Sequence, residues 1–175
     1  TNLGLGGAEV QLYKIVENLK NDHQIKVISL LSKGDLGDKL IKLGIELSII
    51  NFSKKRFLFS SFLKLCITIL KFKPDIVHTW MYHANLIGGF AAKISKVKNI
   101  FWSIHHNDLS TIHNKLSTIF IAKIGAFFSY LIPKNVICVS KNVIEKHIDF
   151  GYQEKKMVFI PNGIDVLEFS NIDNA

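Results

Sequence analysis

Sulfur is scarce in this sequence. Its 175 residues include two cysteines, Cys66 and Cys138, each inside an apolar run. Two isolated cysteines make no disulfide framework of the kind that staples small secreted folds. No Cys-x-x-Cys pair or Cys/His spacing prepares a zinc site. They read as reduced core residues of a cytosolic protein. Long apolar runs are also lacking: no stretch reaches the roughly 18 uninterrupted apolar residues that cross a bilayer. The first residues, from Thr1, do not have the pattern of a secretory leader. Internal repeats and low-complexity linkers are missing. Acidic residues are in the minority, 14 Asp plus Glu against 22 Lys plus Arg, for a net charge of +8. That excess favours anionic partners such as acidic headgroups or phosphorylated small molecules, or simply marks a lysine-rich solvated surface. No aromatic-basic motif of single-strand binders accompanies it, which argues against nucleic acid.

What is present is a globular composition, 48% hydrophobic and 21% charged, at a length suited to one domain with one core. Apolar periodicity alternates between two types. Helical spacing appears over residues 8–20, 35–43, 57–72, 83–95, 112–132 and 141–149. Short apolar runs that read as strands cover 25–31, 45–50, 75–79, 99–104, 136–139 and 157–160. Pro74 stops the third helix, Ser140 is placed to cap the last, and Pro161-Asn162-Gly163 ends the final strand. Strands alternating with helices imply βαβ units, and near-continuous apolar strands imply a sheet covered on both faces. The expectation is an α/β, Rossmann-like, mainly parallel sheet over residues 1–160, with 161–175 leaving the domain. One element is out of order. The chain enters its first helix from a glycine loop, and in a doubly wound sheet such a loop follows a central strand. No strand stands before it here.

That loop is Gly4-Leu5-Gly6-Gly7-Ala8-Glu9. Glycines opening a helix bring the backbone close to a ligand and aim free N–H groups and the helix dipole at an anion. A phosphate or diphosphate is the natural guest; a tight turn without a ligand is the alternative. The spacing matches neither a dinucleotide fingerprint nor a P-loop. His78 ends the third strand, and His105 and His106 follow the fourth, on the edge where open α/β sheets bind ligands. Adjacent histidines on extended chain point apart, so no metal is expected from His105, His106 and His113. The helix over 57–72 carries a polar stripe of Ser60, Ser61, Lys64, Thr68 and Lys71 and is otherwise apolar. It reads as a helix buried against the sheet. The basic Lys54-Lys55-Arg56 before it leaves open a second reading, contact with an acidic membrane.

Taken in order, four segments resemble the N-terminal domain of glycosyltransferase family 4, enzymes of the GT-B fold. They are the glycine loop; Pro74-Asp75-Ile76-Val77-His78-Thr79 with Asn85; Trp102-Ser103-Ile104-His105; and Val139-Ser140-Lys141 with Ile160-Pro161-Asn162-Gly163-Ile164-Asp165 and Phe169. The resemblance implies the acceptor-side half of a two-domain, nucleotide-sugar-dependent transferase. Residues 161–175 would begin the crossover to a donor-binding domain, and this half alone would be inactive. Gly6 and Gly7 would meet the donor diphosphate and His105 the transferred sugar. His78, Tyr82 and Asn85 would line the acceptor side, and Ser140, Asn162 and Gly163 the hinge and cleft. Retention of configuration is implied, without metal or other cofactor. The acceptor would be a glycan or lipid-linked sugar of a cell-surface polysaccharide or glycolipid, built in the cytoplasm at the inner membrane face. The same fold also houses nucleotide-sugar epimerases, and an idle membrane- or glycan-binding module is the reading from another class.

Overall fold

The computed structural model describes residues 2–52, 58–107, 109 and 115–163. In them six helices alternate with six strands: α1 (Gly7–Leu19), β1 (Lys26–Ser29), α2 (Gly34–Lys42), β2 (Glu46–Ile49), α3 (Leu58–Phe72), β3 (Ile76–Trp80), α4 (Tyr82–Ile94), β4 (Asn99–Ile104), α5 (Leu116–Ser129), β5 (Asn135–Cys138), α6 (Lys141–Phe150) and β6 (Met157–Phe159). Element ends differ from the periodicity by three residues at most. The exception is the start expected at 112 for the fifth helix, which falls outside the described residues.

Every strand pairing is parallel, but the sheet is hydrogen-bonded in two pieces, β1–β2 and β3–β4–β5–β6. The two pieces run in the same direction. At their amino edge Lys26 of β1 lies 5.6 Å over the Phe72 ring, just ahead of β3. At their carboxyl edge the glycine loop spans both: the Leu3 carbonyl accepts from Leu36 N–H (2.9 Å), beyond β1, while Glu9 acts on the charge of His105, beyond β4. In space the order is β2, β1, an interruption, β3, β4, β5, β6. The chain winds outward from the interruption to β2, returns through α3, and winds outward again to β6. This is the doubly wound plan, with the interruption at its switch point.

β4 is the axis of the core. Trp102 has no exposed surface, and Ile100 and Ile104 are equally buried. Their burial places Trp102→Ala among core truncations costing about 3–5 kcal/mol. α4 lies close over β3 and β4 because it presents Gly88 and Gly89. A Cβ on Gly89 would collide with the Trp102 indole, and one on Gly88 with Thr79. A second apolar cluster, Leu3, Val16, Val27, Leu36, Leu40 and Ile45, packs α1 and α2 against β1.

α3 keeps most of its polar stripe outward, with Ser60, Lys64 and Lys71 exposed. Ser61 faces inward, its hydroxyl 3.4 Å from the Asn51 carbonyl. Also left outside are Phe59 (78% exposed), Leu63, Ile67 and Leu70.

Candidate functional site

The rim is built at the carboxyl ends of β1, β3, β4 and β6. Gly6 is the N-cap of α1 and supplies no side-chain cap, and Gly7 is the first helical residue. Both are exposed. Glu9, at the third helical position, folds back so that a Cβ on Gly6 would strike its carboxylate, whereas one on Gly7 would meet nothing. An acid in the first turn suits the positive end of a helix dipole. Here it occupies the place the sequence reserves for an anion. The loop is seated by a residue the sequence did not flag. Gly34 (φ +57°) packs its backbone directly on Leu3 and Gly4, leaving no room for a side chain.

β3 and β4 deliver the histidines. Alternation on β3 sends His78 and Trp80 to one face and Thr79 to the other. His78 Nε2 is hydrogen-bonded to Ser103 Oγ at 2.7 Å. Its ring lies 5.0 Å from the Trp80 ring, which in turn stacks on His105 at 4.7 Å with planes 17° apart. So His78, Trp80 and His105 form one aromatic row. Burial and the neighbouring His105 hold the His78 imidazole below its ordinary range. The residue is open enough to solvent for water to soften that shift, and it is neutral at pH 7.

His105 is singular. Both its ring nitrogens are shielded from solvent, and neither has a hydrogen-bond partner among the described residues. Leaving buried polar atoms unpaired costs about 1–3 kcal/mol each. Such orphans mark sites that a ligand or water completes. Burial lowers its pKa, and Glu9 pulls it back up. His106 turns the other way, edge-on to Tyr82 at 6.3 Å. The two rings thus part: His105 stacks on Trp80, and His106 meets Tyr82 at the start of α4. No three His, Cys, Asp or Glu side chains converge as metal ligands among the described residues.

Tyr82 and Asn85 lie beneath the rim, where both are almost fully buried. The Tyr82 hydroxyl and His147 Nε2 are 2.8 Å apart. His147 Nδ1 donates to the Val143 carbonyl (2.7 Å), so Nε2 accepts the hydrogen bond from the tyrosine hydroxyl. Asn85 accepts from Thr79 Oγ1 (2.7 Å) and donates to the Ser103 carbonyl (3.1 Å). These bonds tie α4 to the ends of β3 and β4 and leave little side-chain surface for an acceptor to touch. Between β3 and α4, Met81 holds φ +72°, ψ 158°, a strained conformation for a non-glycine residue, costing of order 1–3 kcal/mol. Its N–H donates to the Ser103 carbonyl (3.0 Å) and its carbonyl accepts from Asn85 N–H (2.8 Å). Strain of this kind concentrates at functional turns.

The far side of the rim is closed by the segment after β6. Gln11 of α1 donates to the Gly163 carbonyl at 3.0 Å, bringing the exposed Asn162-Gly163 turn beside the helix that carries the glycine loop. Ser140 caps α6, its hydroxyl accepting from Val143 N–H at 3.2 Å. Ile164, Asp165 and Phe169 lie outside the described residues.

Trp80, Met81, Gln11 and Gly34 were not singled out from the sequence, and Glu9 and Ser103 were named only as members of longer segments. A tryptophan two residues after a strand-end histidine was the one available signal, since alternation places both on the same face.

No curated protein matches the chain. HepE from Anabaena in complex with UDP-glucose superposes with a TM-score of 0.75 at 19% identity, over 93% of this chain and 42% of that one. The lipopolysaccharide outer core galactosyltransferase WaaB gives 0.63 at 17%, over 94% and 46%. UDP-N-acetylglucosamine 2-epimerase from Rickettsia bellii gives 0.67 at 13%, over 99% and 47%. The chain thus spans less than half the length of each, and at these identities the likeness is one of fold. The profile of Glycosyltransferase Family 4 matches residues 5–167, nearly the whole sequence, and the chain belongs to that family.

Proposed function

We propose that the full-length protein transfers a sugar from a nucleotide-sugar donor, with retention and without metal, to a glycan or lipid-linked acceptor in cell-surface polysaccharide or glycolipid synthesis. Residues 1–160 form the acceptor-side domain and 161–175 lead to the donor-binding domain. The observation that carries this reading is His105: an unpartnered imidazole on the same rim as an uncapped, glycine-opened helix. One site therefore offers a helix terminus for a diphosphate and a neutral ring for a sugar hydroxyl.

In the reaction the bond from the anomeric carbon to the phosphate oxygen breaks as the bond to the acceptor oxygen forms, and the acceptor hydroxyl's O–H bond breaks with its proton passing to the departing phosphate oxygen. The electron pair leaves with the diphosphate, and the N–H groups at Gly6 and Gly7 face the charge that develops there. His105, neutral because its surroundings disfavour the cation, donates one hydrogen bond to the sugar and adds no competing charge. Glu9 must swing away from Gly6 when the diphosphate arrives, since two anions cannot share one helix terminus. His78 takes the acceptor side, while Tyr82 and Asn85 act by positioning the α4 turn.

The test is turnover of a panel of nucleotide sugars by the full-length protein, beside His105→Ala. Loss of a preorganised hydrogen-bond donor is expected to lower kcat by roughly 10²–10³ with the fold intact. No turnover of any donor by the folded wild type would overturn the transferase reading. The fold shared with the Rickettsia epimerase supports a second reading, in which the product is an epimerised nucleotide sugar formed without acceptor. Product analysis of the same reactions separates the two.

A further inference from the structure

Two imidazoles share the rim, and they are held in different ways. His78 has a polar anchor, its Nε2 lying 2.7 Å from Ser103 Oγ. His105 has none among the described residues, although both its nitrogens are shielded from solvent. A side chain in a site keeps its direction through hydrogen bonds or through packing. With the first missing, the His105 ring depends on the second. Its packing partner is Trp80, whose indole lies nearly parallel to it, with centroids 4.7 Å and planes 17° apart.

The strand register builds this contact. In the β3–β4 pair His78 stands opposite Phe101, and Trp80 opposite Ser103. His78 reaches past its partner to Ser103, and Trp80 reaches past its own to His105. The same step of two residues is made twice. Alternation keeps His78 and Trp80 on one face of the sheet, with Ser103 and, just past the strand, His105. The backbone at Trp80 is fixed as well. Met81 follows it directly, holds φ +72° and donates its N–H to the Ser103 carbonyl at 3.0 Å. The other tryptophan of the sequence, Trp102, is fully buried in the core. Trp80 is only half-buried and lays its ring on an imidazole.

We propose that Trp80 is a positioning residue: it sets the plane of the His105 imidazole, and so the direction in which that ring offers its N–H to the sugar. This rests on the sugar contact proposed for His105. A stack fixes a ring without occupying its nitrogens, so the neutral imidazole keeps one donor and one acceptor for a ligand.

The test is a double-mutant cycle in the full-length protein, with Trp80→Ala, His105→Ala, the pair together, and Trp80→Phe. Trp80→Ala is expected to lower kcat roughly ten- to a hundredfold through misdirection of the ring, with little change in KM for the nucleotide sugar. Trp80→Phe, which keeps a flat partner, should recover most of the loss. The double variant should be no slower than His105→Ala, since the indole acts only through that ring. Additive losses, or a phenylalanine variant as slow as the alanine one, would overturn the proposal. A second readout needs no turnover. In proton spectra of histidine-labelled protein the His105 Cε1–H, assigned by its loss in His105→Ala, should lie upfield under the indole ring current. In Trp80→Ala it should move downfield and broaden, with the backbone amide spectrum otherwise kept. A resonance that does not move would overturn the positioning role, whether or not any donor is turned over.

Discussion

Gly6 and Gly7 stand side by side at the start of α1, but a methyl group would be felt differently at each. At Gly6 it meets the Glu9 carboxylate, a flexible neighbour; at Gly7 it meets nothing. Gly7→Ala is therefore expected to leave Tm unchanged or slightly higher, alanine being the better helix former by up to about 1 kcal/mol. The KM for the nucleotide sugar in the full-length protein should rise by roughly tenfold, about 1.4 kcal/mol of lost approach. An unchanged KM would remove the glycine loop from the donor site. His147 gives a second prediction at this scale. Burial drives its pKa down to about 4, and the neighbouring His106 adds to that. The folded state thus holds His147 neutral while the unfolded chain binds a proton below about 6.5. Its contribution is complete above that pH and falls as pH drops toward 4, by up to about 1.4 kcal/mol per pH unit. Denaturant titrations of wild type and His147→Gln across that window should show the shallower slope in the variant. The histidines of the rim were legible in the sequence because strand ends are where such sheets bind ligands. Glu9 folding over Gly6, and Trp80 set between two imidazoles, were not. Both depend on side-chain directions set by the packing of separate segments, and local pattern carries no trace of that. Tyr82 and Asn85 show the converse: a polar side chain at a strand-to-helix turn reads the same whether it faces ligand or core.

At the scale of elements, the apolar period found nearly every helix and strand, since each buries one consistent stripe or run. It placed the α6 cap as well. Ser140→Ala is expected to cost about 1 kcal/mol, seen as a lower denaturant midpoint. Gly34→Ala should cost more than that cap: it combines a left-handed φ with collision against the Leu3–Gly4 backbone. Amide exchange at Leu36, whose N–H donates to Leu3, should rise with it. A loss no larger than that of Ser140→Ala would mean the loop yields easily. What the period misjudged was α3. Its stripe stays wet at Ser60, Lys64 and Lys71, but Ser61 turns inward, and apolar residues at 59, 63, 67 and 70 remain outside.

For the whole molecule, those exposed residues have a counterpart on α5, where Leu116, Phe120 (66% exposed), Phe127 and, just beyond, Leu131 are also uncovered. α3 and α5 flank α4, and Lys64, Lys71 and Lys123 stand among the apolar side chains. Two apolar stripes interleaved with lysine suit the surface of an acidic bilayer. No helix of the described residues is long and apolar enough to cross one. The basic Lys54-Lys55-Arg56 lies outside the described residues. Wild type should float with vesicles containing acidic lipid, and Phe59→Asp with Phe120→Asp should not. Equal flotation of the two would remove α3 and α5 from membrane contact.

The interruption in the sheet also governs how the fold comes apart. No strand-to-strand hydrogen bond crosses it among the described residues, so α1, α2, β1 and β2, with their own small apolar cluster, are tied to the rest mainly through side chains and helices. Cooperativity in unfolding depends on such ties. Heated slowly, the chain should absorb heat in two overlapping stages, the β1–β2 portion first, with a van't Hoff enthalpy well below the calorimetric one.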